Sequence, residues 1–113
     1  MRHDPSHLVD ILIAARDAVK FTEGLTPGQF GEDNLRKHAT TRALEAIGNA
    51  TARLSGETKA MHPEIEWDKI AAVRSRLVRN DFSICHGRVW RIVQDDLPRL
   101  VSQLEAIVPP EPD

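Results

Sequence analysis

The residues of this chain that could carry out chemistry are concentrated between positions 74 and 91. Five arginines lie in this stretch, at positions 74, 76, 79, 88 and 91, together with the histidine His86. The whole chain of 113 residues has a formal net charge of −2, so this cluster is its main charge asymmetry. A nucleic acid could bind only to such a local patch. The imidazole of His86 titrates near neutral pH, so it could act as a general acid or base.

Arg74 has an unusual predicted position on its helix. At about 100° per residue it falls at the centre of an apolar face, which consists of Trp67, Ile70, Ala71, Leu77 and Val78. A guanidinium is costly to bury without a partner, so Arg74 must meet a carboxylate, line a cleft or reach a subunit interface. Asp81, two helical turns further on, is a possible partner. The simpler alternatives are a structural ion pair for Arg74, a capping or core role for His86, and an ordinary solvated helix surface.

These residues are carried by a chain whose apolar residues recur at helical spacing, without the alternation of strands. The first helix is predicted to start at Asp4 and to end near Gly24, and a short helical turn follows at 26–30. The second helix covers about 35–55, the third about 66–80 and the fourth about 86–107, with a bend at Pro98. Four main helices joined by short loops favour an antiparallel bundle over residues 1–108. Residues 109–113 are predicted to form a disordered tail.

Composition excludes several classes of protein. Hydrophobic residues make up 41% and charged residues 28% of the chain, which is typical of a globular domain. No apolar run is long enough for a membrane span, the N-terminus lacks the core of a signal peptide, and Cys85 is the only cysteine, so we expect a cytoplasmic protein. The histidines show no convincing metal-ligand spacing, since only His3 and His7 are four residues apart. No nucleotide-binding glycine motif occurs. We therefore expect neither a metal nor a cofactor.

Several segments, in this order and at this spacing, match a known family over nearly the whole chain without gaps. They are LTPGQF at 25–30, ALEAIGNA at 43–50, HPEIEW at 62–67, WDKIAAVRSRLV at 67–78, VW at 89–90 and DLPRL at 96–100. With these segments the chain resembles the HepT-like proteins of the HEPN class, the toxin half of HepT/MNT toxin–antitoxin pairs. The resemblance implies an all-α, antiparallel four-helix HEPN bundle with a short extra helical turn. It also implies a homodimer and a nucleotidyltransferase antitoxin as partner. Val9 and Ile13, which form a second apolar strip on the first helix, and parts of the third and fourth helices are interface candidates.

The family's site residues are only partly present. Its motif usually reads Arg-Asn-x-Leu-Val-His-x-Tyr, in which the arginine and histidine form a metal-independent ribonuclease site and the tyrosine accepts AMP from the antitoxin. Arg74 matches the arginine, but the histidine position is Arg79 and the tyrosine position is Asp81. The asparagine position is Ser75, and a glutamate common on the second helix is Asn49 here. Arginine does not lose its proton near neutral pH, and Asp81 has no phenol to accept a nucleotide.

A shifted site would keep the activity. Arg79-Asn80 followed by His86 satisfies the broader HEPN pattern of an arginine, a polar residue and a histidine after a short gap. His86 would then activate the 2′-hydroxyl of RNA or protonate the leaving oxygen, while Arg74 and Arg79 would hold the phosphate. Arg76 and Arg88 are candidates for RNA binding.

Three functions therefore stay open at this point. The first is a HepT-like toxin that cleaves RNA at a degenerate site. The second is an inactive homologue that binds a nucleotidyltransferase antitoxin or a nucleic acid. The third is a helical interaction protein in which Arg74 forms only an ion pair.

Overall fold

The computed structural model describes residues 4–108, and this part of the chain contains eight helices and no strand. The helices are α1 (Asp4–Thr22), α2 (Pro27–Glu32), α3 (Asn34–Ala52), α4 (Gly56–Met61), α5 (Trp67–Ala71), α6 (Val73–Leu77), α7 (His86–Asp95) and α8 (Leu97–Glu105). The predicted all-α fold class is confirmed. The tail predicted at 109–113 lies outside the described residues.

The two longest helices, α1 and α3, pack along each other in opposite directions. At one end, Nη1 of Arg36 donates to the carbonyl oxygen of Phe21 at 3.0 Å. At the other end, the carboxylate of Asp4 accepts hydrogen bonds from the hydroxyls of Ser55 and Thr58, both at 2.5 Å. These bonds lower the pKa of Asp4 to about 2, below its usual range, and the bond from Ser55 has the larger effect. Asp4 is 5% exposed, so a buried ionised carboxylate fixes the start of α1 to the end of α3.

The predicted fourth helix is bent, as expected, and consists of α7 and α8. Pro98 is the second residue of α8 and has no N–H to continue the hydrogen bonds of α7. Nε2 of Gln94 on α7 donates to Oγ1 of Thr22 at 3.1 Å, and Nη2 of Arg16 donates to Glu105 on α8 at 2.7 Å. The α7–α8 unit therefore runs antiparallel to α1.

The prediction of one continuous third helix from 66 to 80 is wrong. Ala72 has φ −89° and ψ 15°, which separates α5 from α6. Helix α6 ends at Leu77, because Val78 is extended with φ −84° and ψ 133°. The break at Ala72 also changes the buried face, so that Val73 and Leu77 point into the core. Arg74, which follows Val73, is consequently on the outside. Since the third and fourth units are each two helices, the four-helix bundle of the HEPN type stays a prediction.

Helix α4 is missing from the sequence prediction, which had no element between the second helix, ending near 55, and the third, starting near 66. Ser55 begins α4, since its hydroxyl oxygen accepts the backbone N–H of Thr58 at 3.2 Å. Nε1 of Trp67, at the start of α5, donates to the carbonyl oxygens of Lys59 at 3.1 Å and of His62 at 2.9 Å. Helix α4 thus connects α3 to α5, and the indole N–H of Trp67 binds its C-terminal end.

Gly48 allows α3 to lie directly against α5 and α6. A Cβ atom at this position would be 3.0 Å from Cγ1 of Val73 and 3.5 Å from the carbonyl oxygen of Ala71. Such distances are at the limit of real contacts, so only glycine fits without displacing the neighbours. The close approach places the side chains of α3 next to those of α6.

One hydrophobic core connects the elements. Its fully buried large side chains come from α1, α2, α3, α6, α7 and α8: Ile11, Phe30, Leu44, Ile47, Leu77, Val89, Val93 and Leu104. Phe30 and Trp90 pack ring to ring at 5.4 Å, which ties the short α2 to α7.

Within residues 4–108, no helix has both the length and the apolar character that crossing a membrane requires.

We predict that Gly48→Val lowers the free energy of unfolding by about 1–3 kcal/mol, because the added methyl groups separate α3 from α6. The matched control is Gly31→Val, since a Cβ atom at Gly31 in α2 would meet nothing within 4 Å. Urea unfolding of both variants and the parent measures the difference. Equal destabilisation by the two substitutions would show that the effect is the general cost of valine in a helix and not packing at Gly48.

Candidate active site

A tight turn between α6 and α7 brings the two ends of the segment 78–85 together. The backbone N–H of Arg79 donates to the carbonyl of Ser83 at 2.8 Å, and that of Cys85 donates to the carbonyl of Leu77 at 2.8 Å. Val78 and Ile84 form an antiparallel bridge between these bonds. Because the chain doubles back here, Arg79 lies beside Cys85 and near the start of α7.

The tip of the turn displays two side chains to solvent. The Oδ1 atom of Asp81 accepts from the backbone N–H of Ser83 at 3.1 Å and from its hydroxyl at 2.6 Å. These bonds lower the pKa of Asp81, so its carboxyl is ionised near neutral pH. Phe82 is 86% exposed and has a φ of +67°, a left-handed conformation that is uncommon for a bulky residue.

The sulfur of Cys85 lies inside a small set of hydrogen-bond donors. Nη2 of Arg79 is 3.6 Å from Sγ. The pKa of the Cys85 thiol is lowered, first by a hydrogen bond from the backbone N–H of Arg88 and then by the one from Arg79. Negative charge is thus favoured at the position where the turn meets the N-terminus of α7.

His86 is the first residue of α7 and is surrounded by cations. Its partly buried imidazole meets that of His38 from α3 edge to face, with ring centroids 6.4 Å apart. Burial lowers the pKa of His86, and the charges of Lys37, His38 and Arg79 lower it further. The imidazole of His86 is therefore mostly neutral near pH 7, which is the form that a general base requires.

Arg74 does not occupy the buried position that the helical spacing predicts. Its side chain is 63% exposed, and Nη1 bonds to the carboxylate of Glu45 on α3. The predicted partner Asp81 is wrong, since its carboxylate bonds to Ser83 instead. The expectation that Arg74 meets a carboxylate is confirmed, but the pair is at the surface because the break at Ala72 turns Arg74 away from the core.

The predicted RNA-binding residues Arg76 and Arg88 line one cavity of about 250 Å³ together with Arg91. Its other lining residues include Asp95 and Asp96, and Nη2 of Arg76 donates to Asp96 at 2.8 Å. The positive charge of this cavity is therefore partly neutralised. Nη1 of Arg88 donates to the carbonyl of Val78 at 3.2 Å, so Arg88 also supports the turn.

A second cavity, of about 450 Å³, opens beside His86. It is lined by residues of α2 and α7: Pro27, Phe30, Gly31, His86, Gly87, Trp90, Arg91, Gln94 and Asp95. The indole of Trp90 and the imidazole of His86 both line this cavity.

The structure thus brings Arg79, Cys85 and His86 together and keeps Arg74 in a separate pair. Sequence reasoning missed Lys37, His38 and Glu45, because their nearness to the turn depends on how α3 packs. In residues 4–108, no three histidine, cysteine or acidic side chains converge as a metal site would require.

Comparison with known proteins identifies relatives over most of the chain. The family model described as "Ribonuclease HepT-like" matches residues 11–107. "Probable ribonuclease HepT" from Thermococcus cleftensis is 31% identical over 106 residues, which cover 94% of this chain and 96% of that protein. "Putative RNase MJ1380" from Methanocaldococcus jannaschii is 29% identical over 100 residues, covering 88% and 92% of the two chains. No solved structure matches the chain.

The electrostatics of His86 lead to a pH prediction. We expect NMR titration to place the pKa of His86 below 6.5, and Lys37→Gln to raise it, because one nearby positive charge is removed. Lys59→Gln, on α4 beyond the C-terminal end of α3, is the control and should leave that pKa unchanged. Since the pKa is lower in the folded than in the unfolded state, the stability linked to His86 is present above pH 6.5 and declines as the pH falls through the folded value. A His86 pKa above 6.5 that does not change in Lys37→Gln would contradict the burial of His86 and its nearness to Lys37.

Proposed function

The chain belongs to the HepT-like ribonuclease family, and we propose that it is an endoribonuclease whose site is formed by Arg79 and His86. The observation that supports this most strongly is the contact of the His86 imidazole with that of His38, next to the turn where Arg79 bonds to Cys85. Burial and the nearby charges of Lys37, His38 and Arg79 lower the pKa of His86. Cations that attract a phosphate and a base that accepts a proton are the two requirements of RNA cleavage without a metal.

In the proposed reaction, His86 removes the proton from a ribose 2′-hydroxyl. The 2′-oxygen then forms a bond to phosphorus, and the bond from phosphorus to the 5′-oxygen breaks. Arg79 stabilises the charge that develops on the phosphate oxygens. The products are a 2′,3′-cyclic phosphate and a 5′-hydroxyl, so the leaving oxygen must take up a proton.

His38 is placed to supply that proton. Its ring meets that of His86 edge to face, with ring centroids 6.4 Å apart. A phosphate at the common rim of two adjacent imidazoles could accept hydrogen bonds from both. The proposed site is therefore a base on α7, an acid on α3 and an arginine on the turn between α6 and α7.

As its biological role we propose the toxin component of a toxin–antitoxin module, cytoplasmic and homodimeric, with a nucleotidyltransferase as its antitoxin. Family membership and the RNase names of the relatives support the ribonuclease part of this role. Position 81 carries an ionised aspartate that bonds to Ser83, so it offers no phenol for AMP attachment. In this proposal the antitoxin acts by binding, without modifying residue 81.

One observation favours an inactive homologue as the second candidate. Arg74, which matches the family's arginine in sequence, is paired with Glu45 and does not face the proposed site. On the alignment above, the family's histidine is replaced by Arg79. A chain with this arrangement could bind RNA or its antitoxin without cutting RNA.

We predict that the protein cleaves single-stranded RNA in the presence of EDTA, and that His86→Gln slows cleavage by about 100- to 10,000-fold. Arg79→Gln should slow it by about 100-fold or more, because a donor to the charged phosphate is lost. Arg74→Gln and the surface control Arg16→Gln should cleave at nearly the parent rate. Gel analysis of an end-labelled RNA measures all five proteins.

Absence of cleavage by the folded parent would favour the inactive homologue. Cleavage that survives His86→Gln and disappears in Arg74→Gln would place the site on the family's motif instead.

The role of His38 is tested with an RNA that carries sulfur in place of the scissile 5′-oxygen. A thiolate leaves without protonation, since thiols are far more acidic than alcohols. We predict that the His38→Gln protein cleaves ordinary RNA about 100-fold or more slowly than the parent does. It should cleave the thio substrate at the parent's rate. His86→Gln should be slow on both substrates. If His38→Gln is equally slow on both, His38 has a role other than proton donation.

A further inference from the structure

Phe82 is in a conformation and an environment that its side chain does not favour. Its φ of +67° is left-handed, a region in which Cβ crowds the backbone and in which glycine and asparagine are common. Its ring is 86% exposed, so it gains little from burial. A large apolar side chain at the tip of a strained turn thus contributes little to the stability of the folded chain.

The turn itself is held by groups other than the ring. The backbone N–H of Phe82 donates to the carbonyl of Arg79 at 2.9 Å, and Asp81 bonds to Ser83 at 2.6 Å. The Val78–Ile84 bridge closes its base. These bonds fix the direction of the ring, and none of them requires the residue to be aromatic.

The surroundings of the ring match those of a single-stranded nucleic acid site. The backbone N–H of Phe82 donates to the carbonyl oxygen of Arg79. The side chain of Arg79 in turn lies beside Cys85, the residue before His86. Lys37 and Arg88 add positive charge around the same turn, since Lys37 acts on His86 and Arg88 bonds to Val78. The one acidic side chain of the tip, Asp81, is turned onto Ser83. Exposed aromatic rings among cations are the usual means of binding unpaired bases.

We propose that the ring of Phe82 stacks on an unpaired nucleobase of RNA, next to the phosphate held by Arg79. This inference rests on the proposed ribonuclease function and adds a base-binding position to it. The charges around the turn favour RNA over an apolar protein surface as the occupant, because burial of these cations in a protein interface would need matching carboxylates.

The test uses the full chain and a fluorescein-labelled, single-stranded RNA of about 15 nucleotides with 2′-O-methyl groups, which block cleavage but not stacking. Phe82→Gly removes the ring and relieves the strain, so we expect its thermal midpoint not to fall below that of the parent. Its affinity for the RNA should decrease roughly 5- to 150-fold, the usual effect of one stacked base. Phe82→Trp should bind at least as tightly as the parent.

Phe82→Leu separates stacking from simple hydrophobic contact. A leucine keeps an apolar surface but has no flat ring, so its affinity should fall almost as far as that of Phe82→Gly. Met61→Ala is the matched control, because Met61 is 67% exposed on α4, at the other end of α3. It should bind like the parent. Sedimentation velocity should give all five proteins the same oligomeric state.

If the parent cleaves RNA and Phe82→Gly binds RNA as tightly as the parent does, the stacking proposal is overturned and the proposed function stays in place. Full binding by Phe82→Leu together with a changed oligomeric state in Phe82→Gly would also overturn it, in favour of a second copy of the chain as the occupant. If the parent neither binds nor cleaves RNA, both proposals fail.

Discussion

Two backbone hydrogen bonds determine where the candidate site can be. The bonds from Arg79 to Ser83 and from Cys85 to Leu77 end α6 and return the chain to the start of α7. Without this turn, a helix continuing through residue 80 would carry the arginine away from His86, because each residue adds about 1.5 Å along the axis. With it, the guanidinium of Arg79 reaches the sulfur of Cys85, one residue before His86. This closure adds the charge of Arg79 to those of Lys37 and His38 around the imidazole of His86, whose pKa is lowered first by burial.

The packing of α3 supplies the other half of the site. Gly48 lets α3 lie against α6, and the N-terminal part of the same helix carries Lys37 and His38 to His86. The same contact places Glu45 beside Arg74 and holds that arginine in an exposed pair. Exposed pairs contribute little to stability, so the main effect of Glu45 is on where Arg74 points. Helix α3 thus adds Lys37 and His38 to the cations around His86, and its Glu45 neutralises Arg74.

Much of the fold could be predicted from the sequence, because burial follows helical spacing where the helices are regular. The apolar stripe of α7 and α8 and the bend at Pro98 are examples. The position of Arg74 could not be predicted, since the break at Ala72 carries neither proline nor glycine and depends on how Val73 and Leu77 pack. For the site, His86 and Arg79 were recognisable from residue type and spacing. Lys37 and His38 were not, because about 40 residues separate them from the turn and only tertiary packing brings them together.

In the proposed function, RNA binds at the turn between α6 and α7, and not at the pair formed by Arg74 and Glu45. An NMR titration of the isotope-labelled protein with an uncleavable 2′-O-methyl RNA tests this directly. We expect the largest amide shifts at residues 79–86 and at 37–38, while the amides of Arg74 and Glu45 change little. The largest shifts at Arg74 and Glu45, with the turn unaffected, would contradict it.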